Sequence, residues 1–571
     1  MAAWVAVWAV VVTLLLCSEC QGQQQHGVSV QLFRNTISSG VPAASTVIPT
    51  LQFSVTLPGP SSADVRGTWI VAPNTAYVFD CEFDNSTTVL VWVDDHLVCQ
   101  NIFDNPTASY DGSPDTPLQV MSKLELPIRA QLVNPNQGNN APLALTLRAR
   151  LATQTSFNVL PTETLRPTLS DEEERRSDLQ RRLAVGWGTW LHHSLLSLVL
   201  LPDSAVLNVG ICQLSTQTCK TDAQIENTDA TLRVGPFALD RSYAQFYLAW
   251  QQVNVSIEFG AQGDRDVSVL VTPQNCATTN CSDYAVVLLG RFAWNRVGAV
   301  TPVQSSSLVY QPYGLGSSTA YMTAQSKTTS LPLPENITSQ PYLAALLDRG
   351  AVAVNTGLQQ SIPDTTQQLL RARYIELKTY QNYGSLAGEK EAMQAAIMWN
   401  LIYTPAEAGP LMPVSRSWNF AAISQETADW SYVIFDWDNI FASYIASLDA
   451  REIAYSNLIQ VIRAKTAKGF VPNYSAGGLK SQDRTEPPVG SRVLLEIYKR
   501  YKDTWLVRLL FDDLLDWHNW FYQTRVLAPL GMICLGSNIV PNNPDGSIDT
   551  MQGARYESGL DNRFTSFSQQ L

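Results

Sequence analysis

Acidic and tryptophan side chains recur where helices are predicted to begin, inside loops rich in Gly, Pro and Asn, over the last third of the chain. The segments are Val414-Ser-Arg-Ser-Trp-Asn, Phe435-Asp-Trp-Asp-Asn, Gly469-Phe-Val-Pro-Asn-Tyr-Ser-Ala-Gly-Gly, Lys480-Ser-Gln-Asp-Arg-Thr-Glu-Pro-Pro-Val-Gly and Glu557-Ser-Gly-Leu-Asp-Asn. Loops held by a rigid scaffold are where sites are built. Carboxyl groups placed there can move protons. The chain also holds 15 Trp. These serve core packing or act as platforms for sugars, whose apolar C–H face packs on an indole. Histidine offers no nucleophilic site: His192 and His193 edge a strand pattern, His518 lies within a helix pattern, and none has a motif partner. Carboxylate chemistry implies no cofactor. No metal site is expected either, since no cysteine pair has a His at ligand spacing.

The elements that must position these segments change along the chain. A length of 571 residues implies two to four domains. With 45% hydrophobic and 15% charged residues the composition is globular. A formal net charge of −12, without Lys/Arg clusters, argues against a nucleic-acid partner. Residues 28–156 read as strands: Thr68-Trp-Ile-Val-Ala, Thr88-Val-Leu-Val-Trp-Val and Leu143-Ala-Leu-Thr-Leu-Arg-Ala are β-branched or alternating, with Asn, Pro and Gly between them. A linker follows at 161–182, where Asp171-Glu-Glu-Glu-Arg-Arg predicts a solvated face or helical connector. Residues 183–375 return to a strand pattern. After Ser385 the spacing becomes helical, as at Met393, Ile397 and Leu401, and again along Leu506, Leu509, Leu510, Leu514 and Trp517. Five or six helices are expected to the end.

The first 22 residues read as a secretory signal, with an apolar stretch from Trp4 to Cys17 and small residues near a cleavage point, although no basic segment precedes it. No later run is long enough to span a membrane. Six cysteines fall into close pairs, Cys81 with Cys99, Cys212 with Cys219 and Cys276 with Cys281, which suits disulfides across hairpins or loops in an oxidising compartment. Cys534 is left over and is expected to be buried. Sequons at Asn85, Asn254, Asn280 and Asn336 fit a glycoprotein surface. Asn473 also heads a sequon; if its loop lines a cleft, that sequon is expected to stay unused. The expected location is secreted or in the lumen of the secretory pathway.

Two family resemblances join these readings. Gly67-Thr-Trp-Ile-Val-Ala-Pro, Tyr77-Val-Phe-Asp-Cys-Glu-Phe-Asp-Asn and Val91-Trp-Val-Asp-Asp-His-Leu-Val resemble the protective-antigen-type β-sandwich, a module that often binds carbohydrate. Some members hold calcium through adjacent Asp residues; Asp84-Asn85 departs from that pair, so calcium is not carried over. The five loop segments, in their order and spacing, resemble glycoside hydrolase family 63, in the branch of mannosylglycerate hydrolase and bacterial α-glucosidases. Ala184-Val-Gly-Trp-Gly-Thr-Trp and Leu198-Val-Leu-Leu-Pro-Asp resemble that family's N-terminal β domain.

The second resemblance implies an inverting hydrolase on an α/α toroid of the six-hairpin type. Inversion uses one carboxylic acid to protonate the leaving oxygen and a second carboxylate to activate water. The family's acid maps onto Asp561. Trp437 and Asp438 match its sugar subsite, and Trp418, Asn473, Lys480, Gln482 and Asp483 match other cleft positions. A salt-bridged loop is the alternative for 480–486. Glu557 would assist the acid or serve in hydrogen bonding or capping. The family continues with Ser-Pro after the acid; here Arg563-Phe564 follows, and an Arg there would lower the pKa of Asp561.

The expected architecture is multidomain β plus α: a signal at 1–22, β-sandwiches at 23–160 and 183–375, and the first half of a toroid at 385–571. The expected substrate is an oligosaccharide or small α-linked glucoside or mannoside. The family's base lies in the later half of the toroid, so the chain as given is expected to be inactive. The competing readings are a carbohydrate-binding protein without turnover and a trehalase-like enzyme.

Overall fold

The computed structural model describes residues 26–560 apart from 35–37, 39–41, 102–116, 121, 136–140, 189–190, 192–193, 202, 226, 262, 264–265, 295–297, 304–305, 313–316, 325–330, 349, 357–362, 381–383, 405–408, 417–431, 477–478 and 541–549. The expected signal, Trp418 and Asp561 lie outside the described residues.

Alternation builds the first unit. Along Glu125–Asn134 every second residue is buried, with Leu126, Ile128, Ala130 and Leu132 inside. This strand is central in an antiparallel seven-stranded sheet, between Ser61–Ile70 and Thr88–Val93. A five-stranded sheet around Leu143–Leu151 and Thr75–Phe83 faces the same apolar cluster. Cys81 and Cys99 are bonded as expected, though across two sheets rather than across a hairpin or loop. They sit on Thr75–Phe83 and His96–Asn101, in different sheets, so the bond staples the two layers. Cys212–Cys219 does close a hairpin, and Cys276–Cys281 closes a loop.

A second pair of antiparallel sheets follows, with six strands centred on Ala205–Gln213 and eight running from Ala230–Phe237 to Gly298–Val303. Two features of this region bear on the sequence reading. The charge run after Ser170 forms the helical connector that was one of its two expectations, α1 (Asp171–Leu183), capped by the Ser170 hydroxyl. Its Leu179 and Leu183 enter the main core, and its Glu173 and Arg176 are buried rather than solvated. Helix α2 (Pro363–Tyr380) begins inside the stretch read as strands and packs Leu370 and Leu377 on Leu270 and Ala353 of the eight-stranded sheet.

After Ser385 the described helices are α3 (Ala387–Met398), α4 (Asp436–Ala446), α5 (Arg451–Arg463), α6 (Gly490–Tyr501), α7 (Thr504–Thr524) and α8 (Thr550–Glu557). Six described helices match the expected number. In α5 every residue from Ile453 to Arg463 is buried, which marks it as central to the helical layer. One apolar cluster runs unbroken from Leu198 and Val206 through Ile440 and Ile459 to Trp517, so the second pair of sheets and the helices share a core.

The first unit meets the helices through charge instead. Asp94 and Asp95 form the tight turn before His96, both with positive φ, 50° and 61°. That backbone favours Gly or Asn, so two Asp residues there cost stability unless something holds them. Arg176 grips Asp95 at 2.5 and 2.9 Å; Lys123 and Arg463 reach Asp94 at 2.6 and 3.0 Å. Asp513 on α7 receives Lys123, Arg463 and Lys465 at 2.6–2.8 Å. Burial pushes the Asp95 and Asp513 carboxyls up, but the surrounding Arg and Lys side chains outweigh it and hold both well below the usual range.

Candidate functional site

Backbone pairing brings the motif segments edge to edge. Ile434–Phe435 pairs with Tyr474–Ala476, which pairs in turn with Leu479–Lys480. Ser415 bridges to Val433 on the other side. The start of α4, the 469–480 loop and the 414–416 segment therefore form one rim. Arg416 is fully buried and donates to the carbonyls of Trp399 and Leu401, which ties that rim down.

Asp436 and Asp438 stand in the first turn of α4, where carboxylates favour the positive end of the helix. They point in different directions. Asp438 is exposed and Trp437 half-buried, whereas Asp436 is 1% exposed. The Asp436 Oδ2 accepts from the Thr485 hydroxyl at 3.0 Å and from the Glu486 N–H at 2.9 Å. Burial, and then the charge of Glu486, push the Asp436 carboxyl well above the ordinary range. Thr485 also accepts from Trp517 Nε1 at 3.0 Å, which anchors the loop on α7.

The Glu557 segment closes on the same place. Glu557 is wholly buried, and Arg525 reaches it at 2.6 and 2.7 Å while the N–H groups of Gly536 and Thr485 donate at 2.9 and 3.2 Å. Of the two roles open to it, the hydrogen-bonding one is what the geometry displays. Two residues on, Gly559 has φ +67° and lies against Trp437; a Cβ there would stand 2.5 Å from the indole Cζ2.

The other expected site residues divide. Asn473 is 3% exposed, and its side-chain oxygen accepts from Arg484 at 3.1 Å. Asp483 is 2% exposed and is held by Arg484 at 2.9 Å and by Ser537 at 2.7 Å. Lys480 is buried and lies near His96 of the first unit. Burial and then Lys480 push that imidazole down to about 3. Gln482 is partly exposed, and its carbonyl accepts from Lys468 at 2.9 Å. Reading the sequence missed Asp436, Thr485, Arg484 and Arg525 as organisers of this region. Asp436 carried a signal, an acid in the first turn of a predicted helix; Arg525 carried none.

The four sequon asparagines Asn85, Asn254, Asn280 and Asn336 are exposed, and Asn473 is not. Cys534 corrects an expectation: it is exposed, because it follows a short exposed hairpin (Val526–Leu527 with Met532–Ile533), and its thiol donates to the Arg525 carbonyl at 3.2 Å. Among the described residues no metal-ligating cluster occurs and no helix is long and apolar enough to cross a membrane.

No curated protein matches the chain. Among solved structures, an anti-sigma factor domain-containing protein from Clostridium clariflavum is 14% identical, covering 58% of this chain and 90% of that one at a TM-score of 0.22. The A domain of epithelial adhesin 6 from Candida glabrata, in complex with Galb1-3GlcNAc, is 12% identical over 27% of this chain and 92% of that one, at 0.18. A β-glucosidase from Kluyveromyces marxianus, in complex with glucose, is 10% identical over 29% and 21%, at 0.17. Likenesses at such scores carry no argument. Residues 431–565 match the mannosylglycerate hydrolase MGH1-like glycoside hydrolase domain, so this helical part of the chain is similar to a glycoside hydrolase domain.

Proposed function

We propose that the chain is a secreted glycoside hydrolase-like protein that takes an α-linked glucoside or mannoside at the start of α4. Trp437 packs on the sugar, Asp438 accepts its hydroxyls, and Asp561 is the general acid of an inverting reaction. The observation that carries this is the contact of Gly559 with Trp437: it sets the chain, two residues before Asp561, beside the sugar platform. The glycoside hydrolase-like match over 431–565 supports the chemistry. The paired sheets are read as two β-sandwiches and the helices as part of an α/α toroid. Three disulfides fit an oxidising compartment.

A second reading, binding without turnover, is favoured by one observation. Of the described carboxylates in these loops, Asp436, Asp483, Glu486 and Glu557 are at most 5% exposed, and Asp438 alone meets water. An inverting site needs a base about 6.5–9.5 Å from its acid with water between. On this second reading residues 23–571 bind sugar without hydrolysing it. The experiment incubates that chain with α-glucosides, α-mannosides and mannosylglycerate and follows both binding and released sugar. Hydrolysis with inversion that is lost in Asp561→Asn makes it an enzyme with Asp438 as the candidate base. Neither binding nor hydrolysis overturns the carbohydrate reading.

A further inference from the structure

On the seven-stranded sheet, one row of side chains crosses three neighbouring strands on the face turned away from the first unit's core. Arg66 stands directly opposite Arg129, and Arg129 directly opposite Trp92. Like charges in that relationship destabilise a sheet unless other groups hold them. Asp64, two residues from Arg66 and on the same face, takes Arg66 at 2.7 Å. The Arg129 guanidinium lies 4.1 Å from the centre of the Trp92 ring. An indole holds the flat of a guanidinium and leaves the N–H fork in its own plane.

Helix α1 closes over this row and adds Arg176 and Arg181. Between helix and sheet is a cavity of about 240 Å³. In a chain of net charge −12, its lining sets the four arginines 66, 129, 176 and 181 against two acids, Asp95 and Glu173. Both acids are already shared. Arg176 reaches Asp95 at 2.5 and 2.9 Å and Glu173 at 3.4 Å, and Arg463 of α5 reaches the same two at 3.3 and 2.8 Å. At the mouth, the Arg66 side chain is 43% and the Arg181 side chain 67% exposed, so a ligand can reach both. Arg181 meets Asp178 at 3.3 Å, an exposed pair of small strength in an acid that Arg182 also takes.

We propose that this cavity binds a small oxyanion, a phosphate, sulfate or carboxylate group, between Arg66 and Arg129 of the sheet and Arg181 of α1. Planar guanidinium forks match such groups in shape as well as charge. Arg176 lies behind them and positions the site, because its grip on Asp95 fixes α1 against the turn before His96. The walls come from the first sheets and from the helix that follows them, so a bound anion bridges the two. It stabilises the folded chain by mass action, more so as its concentration rises. The group is carried free or on a sugar, and the site does not depend on the sugar reading of Trp437.

The test uses residues 23–571 as wild type, Arg129→Gln, Arg181→Gln and, as a control of equal charge change beside the site, Arg182→Gln. Inorganic phosphate, sulfate, acetate and glucuronate are titrated by calorimetry and by thermal midpoint, against chloride at equal ionic strength and against glucose. The expected result is saturable binding of at least one of the four anions, with a midpoint that rises with its concentration. Arg129→Gln and Arg181→Gln should weaken that binding about tenfold or more, and Arg182→Gln should leave it unchanged. Arg181 is exposed, so its variant keeps the test decisive if Arg129→Gln fails to fold. Glucuronate binding tighter than acetate upholds the site with the group carried on a sugar; binding no tighter than acetate upholds it for the free anion. No saturable binding of any of the four, an equal midpoint rise in chloride, or equal losses in Arg181→Gln and Arg182→Gln overturns the site.

Discussion

Gly559 lies against the indole of Trp437, so close that a methyl group would stand 2.5 Å from Cζ2. Ring carbons do not tolerate that approach, and the φ of +67° separately disfavours any side chain. The contact joins segments more than 120 residues apart in sequence, the start of α4 and the end of α8.

Gly559→Ala should therefore displace the 558–560 segment or tilt Trp437. Both causes are local, a strained backbone and a clash. The expected stability loss is about 1–3 kcal/mol. Sugar binding should fall in parallel, and Trp fluorescence should shift. A variant with unchanged melting and fluorescence would mean that the two residues do not touch.

Arg525→Ala should be among the most damaging single changes in the helical region. It leaves Glu557, wholly buried, with backbone donors but no countercharge. Breaking a buried pair costs about 3–5 kcal/mol. Denaturant unfolding measures this directly, and a loss below about 1 kcal/mol, the scale of an exposed pair, would contradict the burial of Glu557.

Asp95→Ala should weaken the attachment of the first sheets to the helices. It strands Arg176, 7% exposed, beside Glu173 alone, with the other partner of Asp95, Arg463, left to its remaining acids. The wild-type interface also predicts acid lability. Asp95 and Asp513 are held below the ordinary range, so their stabilisation is complete above about pH 4 and is lost as pH falls below it. His96, buried neutral, adds a loss that begins as pH falls below about 6.5. Hydrogen exchange should show residues 94–96 and 463–467 opening together in acid. Exchange confined to one side would contradict a shared interface.

Much of the fold was legible because its signals are local. Alternation along Glu125–Asn134, helical spacing along Thr504–Thr524 and the close cysteine pairs each sit within a few residues. Helix α2 was missed because its buried face, including Leu370 and Leu377, is short and interrupted by charge. The organisers of the site were missed for a different reason. Asp436 with the Glu486 N–H, and Arg525 with Glu557, become partners only after tens of residues have folded between them. Asp94 and Asp95 were read as part of a strand motif, and nothing nearby in sequence announces Arg176, Arg463 or Lys465 as their partners.

The sugar platform itself is tested most directly by titrating residues 23–571 with α-glucosides, α-mannosides and mannosylglycerate in a calorimeter, beside Trp437→Ala and Asp438→Ala. Loss of an aromatic stacking contact worth about 1.4 kcal/mol weakens binding about tenfold. The account predicts saturable binding of at least one of these sugars, weakened by about that factor or more in each variant, with folding unchanged. Binding that is equally tight in both variants would place the sugar elsewhere and contradict the assignment of the site.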